Sequence, residues 1–169
     1  RHPVAYLVTA TGLLLALAAP VLALRLGMPD EGSYPQVRTE RRAYDLVAQG
    51  FGPGAISPMV IAVDTAGDAS ATQRVADAVG HDPGIAKVSV LSPPTSEIGI
   101  VTAQATSSPQ DAATKDTLAR LRAEVLPRAI GTSAATAHVG GYSAVMLDMS
   151  SRVQERMPLF IGAVVSLSF

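Results

Sequence analysis

Cysteine and tryptophan are both absent from this 169-residue sequence. Without cysteine there is no disulfide, no thiolate nucleophile and no Cys-based zinc site, and the redox compartment is left open. Charge is scarce as well. Asp, Glu, Lys and Arg make up 16% of the residues, against about 25% in ordinary soluble domains. Thirteen basic and 14 acidic residues leave a net charge of -1, which excludes the basic excess that marks a nucleic-acid partner. His2, His81 and His138 are too scattered for a metal cluster, and no H-E-x-x-H occurs. No motif calls for a cofactor.

What the chain has instead is apolar sequence at both ends. Val4 to Leu24 is 21 residues without a charge, long enough at about 1.5 Å per residue to cross a hydrocarbon core of roughly 30 Å. Arg1, His2 and Arg25 flank it nearly evenly, so the positive-inside bias gives little orientation. The small-residue triplet Ala16-Leu17-Ala18 also fits a signal-peptide cleavage site. A second apolar run, Leu159 to Phe169, argues against that reading. It is too short to span and stops at the last residue. With Arg1 in place of a start methionine, this predicts a segment of a longer polytopic protein. The expected layout is a transmembrane helix over 1–27, an extracytoplasmic domain over 28–141, a helix leading to the membrane over 142–158 and the truncated start of another span over 159–169.

Between the runs, Met28 to Pro35 reads as a loop from its two prolines, glycine and turn-forming polar residues. Val37, Tyr44, Val47, Ala48 and Phe51 recur at helical spacing, and Gly50-Phe51-Gly52-Pro53-Gly54 stops that helix. The periods then alternate. Met59 to Asp64 is short, apolar and β-branched, as a buried strand requires. Ser70 and Gln73 have capping-box spacing ahead of a helix on Val75 and Val79. Ile85 to Leu91 alternates Ala86, Val88 and Val90 against Lys87 and Ser89, and Ile98 to Thr106 reads as a third strand. Ser108, Pro109 and Asp111 open a helix to about Arg128 on Leu118, Leu121 and Val125; Thr136 to Val139 is the fourth strand. The order predicts an α+β class, a ferredoxin-like βαββαβ domain flanked by transmembrane α-helices. After Gly140-Gly141 a helix resumes on Val145, Met146, Met149 and Val153, with Asp148 and Arg152 at ion-pair spacing and Pro158 near the expected membrane surface.

Catalytic chemistry is thin. Gly141-Tyr142-Ser143-Ala144-Val145 approaches a nucleophile elbow, but Val145 stands where glycine belongs, and triad partners normally come from distant segments rather than from neighbours such as His138 and Asp148. Ser143 is better read as a helix cap, and no enzyme activity is expected. Arg38, Arg41 and Arg42 read as a solvated face, with lipid headgroups or an acidic partner as the other reading. Tyr44 and Phe51, seven apart on one helix, are the candidates to line an apolar substrate path, with core packing as the alternative. Neither apolar run holds an ionisable residue, so no proton relay is expected here.

Arg1-His2-Pro3, Leu26 through Pro35, Arg41-Arg42-Ala43-Tyr44-Asp45 and Gly50-Phe51-Gly52-Pro53-Gly54 together resemble the second half of MMPL-family transporters of the RND superfamily. Val139-Gly140-Gly141-Tyr142 and Asp148 to Val153 leading into Pro158-Leu159-Phe160 fit the same family. The resemblance covers essentially the whole chain. It implies the seventh transmembrane helix, the second porter domain and the start of the eighth helix of a proton-driven inner-membrane exporter of lipids or other hydrophobic molecules. It further implies a periplasmic position and a homologous porter domain as partner, with homo-oligomerisation left open. The rival expectation is a secreted or membrane-anchored ferredoxin-like binding module, and a more distant one an extracytoplasmic hydrolase built on Ser143.

Overall fold

A computed structural model describes residues 3–19, 30–93 and 96–168. Four strands form one sheet: β1 (Met59–Asp64), β2 (Ile85–Val90), β3 (Ile98–Ala105) and β4 (Thr136–Gly140), in the order β2-β3-β1-β4 with every neighbouring pair antiparallel. Helix α1 (Pro3–Ala18) precedes α2 (Thr39–Phe51); α3 (Ala71–Gly80) joins β1 to β2. A helical run made of α4 (Ala112–Arg120), a π-helical turn (Leu121–Val125) and α5 (Leu126–Ile130) joins β3 to β4. α6 (Tyr142–Ser168) closes the chain. The architecture is therefore mixed α+β around an antiparallel sheet.

Alternate residues of a strand point to opposite faces, and the burial shows which face is covered. Met59, Ile61 and Val63 of β1, Val101, Ala103 and Ala105 of β3 and Val139 of β4 are buried on one side. They meet Val75 and Val79 of α3 and Leu118, Leu121 and Leu126 of the second helical run. Each fully buried Ile, Val or Leu contributes about 1.5–3 kcal/mol relative to exposure, so this layer holds the domain together. The opposite face, carrying Ala62 and His138, is open.

Strand β1 matches its expected bounds, and the other strands lie within one residue of theirs. Three local expectations are corrected. Ala86 is exposed and Ile85 takes the inward place, because the β2–β3 register shifts between Ile85 and Lys87; such a bulge moves an alternation by one residue. Ser70 makes no side-chain cap. Its hydroxyl donates to Asp68 Oδ1 at 2.7 Å, and the same carboxylate takes Arg74 and Ser133. Leu126, not Val125, completes the buried stripe of the second run. There the amide of Leu126 donates to the carbonyl of Leu121, five residues back. Pro127 gives the reason: a proline ring collides with the carbonyl four residues before it and offers no amide in return, and the widened turn accommodates both.

Helix α2 ends where the glycines are. Gly52 has φ +96 and its amide bonds the Ala48 carbonyl, after which Pro53–Ile56 makes a 3-10 turn. A Cβ on Gly54 in that turn would stand 2.1 Å from the Ala105 carbonyl oxygen, so this approach to β3 admits glycine alone.

Among the described residues no helix is long and apolar enough to cross a membrane. Of the expected span over 1–27 they include α1, which runs for 16 residues, about 24 Å at 1.5 Å per residue. The remainder of the expected run, through Leu24, lies outside the described residues. α6 is 27 residues long but carries Asp148, Arg152, Glu155 and Arg156 ahead of the apolar run, and Pro158 lies inside it. The apolar run from Leu159 thus continues one helix; no new one starts at the proline.

Candidate functional site

Four segments distant in sequence enclose a cleft of about 810 Å³, within the size range of small-molecule sites. Its lining comes from Asp30 to Ser33, from Ile56 and Ser57 after α2, and from Pro109 to Lys115 at the start of α4. α6 supplies a whole wall through Tyr142, Met146, Leu147, Ser151 and Gln154. The helical period explains why: these positions recur at three and four residues and so share a face.

Most residues lining the cleft are polar, and several of their side chains are engaged. Ser143 Oγ lies 2.9 Å from the Ser57 carbonyl and 2.8 Å from its hydroxyl. Asp30 accepts from the Ser33 hydroxyl on Oδ1 at 3.2 Å, while its buried Oδ2 has no hydrogen-bond partner among the described residues. Asp111 accepts the Ser108 amide at 2.9 Å, and Lys115 contributes a cation from the same segment. Ile56, Pro109, Met146 and Leu147 provide apolar surface between these groups.

The cleft wall is tied to the domain by charge. Both Asp148 oxygens of α6 accept from Arg122, at 2.7 and 2.9 Å, and Arg122 also donates to the Val139 carbonyl at 3.0 Å. Those hydrogen bonds hold the Asp148 carboxyl below its ordinary range. Spacing along the helix had pointed to Arg152 as the partner; the observed pair corrects that, because the guanidinium of the neighbouring helical run is the one that meets both oxygens. Val145, Met149 and Val153, on which the helix was expected to resume, are about half exposed. They lie on a different flank of α6 from Ser143 and Ala144, which are the buried positions of that helix.

Neither Tyr44 nor Phe51 lines this cleft. Tyr44 is half-buried, with its ring close enough to Gly32 that a Cβ there would meet it at 2.8 Å, and with the Arg41 guanidinium 5.9 Å from its centroid. Arg41 bonds Asp45 and the Gly32 carbonyl, and Arg38 lies over Tyr34. Phe51 is 75% exposed and meets the sheet through its carbonyl, which accepts from Gln104 at 2.6 Å. The cleft residues Glu31, Ile56, Lys115 and Met146 carried no chemical motif. For Met146 the signal was the helical period of α6, which marks a face without saying what it faces.

Ser143 is 1% exposed and its hydroxyl is taken by Ser57; His138 and Asp148 are not its hydrogen-bond partners. A fluorophosphonate probe is therefore expected to leave Ser143 unlabelled, as read by mass spectrometry of the treated chain. Labelling there would revive the hydrolase reading.

No protein-family model matches the chain. It is 30% identical over 174 residues to the membrane protein YdfJ of Bacillus subtilis, matching all of this chain and 23% of that protein. It is 31% identical over 180 residues to the mycolic acid-containing lipids exporter MmpL11 of Mycolicibacterium smegmatis, again over the whole chain and 18% of the relative. The heme uptake protein MmpL11 of Mycobacterium tuberculosis is 30% identical over 182 residues, with the same coverage of 18%. The chain thus spans about a fifth of the length of these relatives.

Proposed function

Given that this chain belongs along its whole length to the MmpL family of the RND superfamily, we propose that it is the ferredoxin-like porter segment of a proton-driven exporter of lipids or other hydrophobic molecules. The observation that carries this reading is the whole-length similarity to a lipid exporter, and the βαββαβ order of the sheet agrees with it. In this proposal the domain sits on the outer side of the inner membrane beside a homologous porter domain of the same protein. It supplies one wall of an apolar route and does no covalent chemistry.

Two surfaces are assigned to that route: the cleft under α6, and the outer side of α2 with Tyr44 and Phe51. Lipid is preferred to a haem-type cargo because neither His81 nor His138 lines the cleft, and imidazole is a common axial ligand of haem iron. Proton-relay residues are assigned to parts of the full-length protein beyond this segment, since neither apolar run carries an acid.

Tyr44→Trp and Phe51→Trp in the full-length protein, reconstituted in vesicles with a fluorescent acyl lipid, test the α2 surface. Export is expected to fall by about fivefold or more for each, the cost of misfitting one bulky side chain in an apolar path being about 1 kcal/mol. Unchanged export and unchanged preference among acyl lengths would remove α2 from the route.

A further inference from the structure

We infer that Arg122 is a latch which fixes the angle at which α6 leaves the sheet, and so sets the width of the cleft. α6 forms one wall of the cleft from its first turn to Gln154. The chain enters that helix from β4 through Gly140 and Gly141, the latter at φ +96 and packed so closely on Pro58 and Val60 that an added Cβ would stand 3.0 Å from the Val60 amide nitrogen. This left-handed corner is a fixed point about which the helix axis can tilt. Ser143 on Ser57 and the fully buried Ala144 pin only the first turn.

Farther out, Leu147 packs half-buried against the core, and the hydrogen-bonded restraint is Arg122. Its guanidinium reaches the end of β4 at Val139 and both oxygens of Asp148 at once, joining sheet and helix in one fork. Ala144 and Asp148 are four residues apart and share a flank of the helix that borders the cleft-lining Leu147 and Ser151, which follow them by three residues. Tilting the helix about its first turn would carry the lining residues with it and change the width of the cleft, and the Arg122 fork resists that tilt. The π-helical turn at Leu121–Val125 contains Arg122, and it lies between Leu118, buried before it, and Leu126, buried after it. With side chains 37% and 47% exposed, Arg122 and Asp148 form a pair that water can enter, as a releasable contact requires and a buried structural pair does not. The latch sets the geometry of the cleft whatever the cleft binds.

The test is a spin-label distance across the cleft in the full-length protein, between cysteines placed at Ala113 on α4 and Glu155 on α6, with any cysteines elsewhere in that protein replaced. Both positions are exposed, and this segment contains no cysteine of its own. Asp148→Ala, which leaves the Arg122 to Val139 bond in place, is expected to shift the mean distance and broaden its distribution about twofold, as releasing one of two anchors does. The exchanged pair Arg122→Asp with Asp148→Arg is expected to narrow it again. An unchanged distribution in Asp148→Ala, or failure of the exchanged pair to narrow it, would overturn the latch. Salt gives a measurement that needs no latch substitution: at about 1 M, where screening acts within roughly 3 Å, the doubly labelled parent is expected to broaden. A salt-insensitive distribution would count against the latch.

Discussion

Asp82→Ala is expected to destabilise the domain by about 3 kcal/mol, the usual scale for removing one partner of a buried, hydrogen-bonded ion pair. The Asp82 side chain is only 2% exposed, and its two oxygens accept from Arg120 at 2.7 and 2.6 Å and from the Gly84 amide at 2.8 Å. Those bonds join the turn between α3 and β2 to the end of α4, so their loss loosens both helices that cover the sheet. Arg120 is about one-third exposed, which lets water recover part of the cost and keeps the figure at the low end. The Arg120 hydrogen bonds hold the Asp82 carboxyl below its ordinary range. A depressed carboxyl stabilises the folded state fully above its unfolded value of about 3.9. That contribution fades as pH falls through the folded value. Urea midpoints measured between pH 7 and pH 2 are therefore expected to fall less steeply for Asp82→Asn than for the parent chain. Parallel acid limbs would show that the pair is not what holds this corner.

Gly54→Ala is expected to cost about 2–4 kcal/mol, more than a surface substitution and comparable to a core defect. The added methyl would fall 2.1 Å from the carbonyl oxygen of Ala105 and 2.8 Å from its amide nitrogen. Both are backbone atoms of β3, and the neighbouring strands β1 and β2 hold that backbone in register. Relief must come from lifting the Pro53–Ile56 turn, which carries Ile56 and leads into Ser57, both of which line the cleft. Gly50→Ala, with open space around its Cβ in helix α2, is the comparison expected to be neutral or slightly stabilising. Thermal denaturation of the two variants separates them: equal midpoints would mean that the contact with Ala105 is not tight.

The strands were legible because a β-branched run such as Met59–Asp64 can bury one face only as a strand, and β1 has those bounds. The glycines after α2 were legible for a similar reason, since Gly52 has the left-handed φ that ends a helix. Departures came where one residue is inserted or one partner is chosen at a distance. The bulge at Ile85/Lys87 and the π-helical turn before Pro127 each shift a periodic pattern by about one position. Local spacing gave Asp148 to Arg152, yet Arg122 lies 26 residues away in sequence and wins through two parallel hydrogen bonds. The cleft was hidden for the same reason. Its walls come from four separate segments, and only the packed fold brings them together.

The most direct measurement of the central proposal, that this segment walls a route for hydrophobic cargo, uses Met146→Trp in the full-length protein. Met146 lies on the α6 wall of the cleft, where an indole would fill the passage while keeping the surface apolar. Transport of a fluorescent acyl lipid into or out of reconstituted vesicles, driven by an imposed proton gradient, is expected to fall at least about tenfold, a barrier increase of roughly 1.4 kcal/mol. The parent rate is expected to collapse when the gradient is dissipated. Parental, gradient-dependent transport in Met146→Trp would contradict the assignment of the cleft to the route.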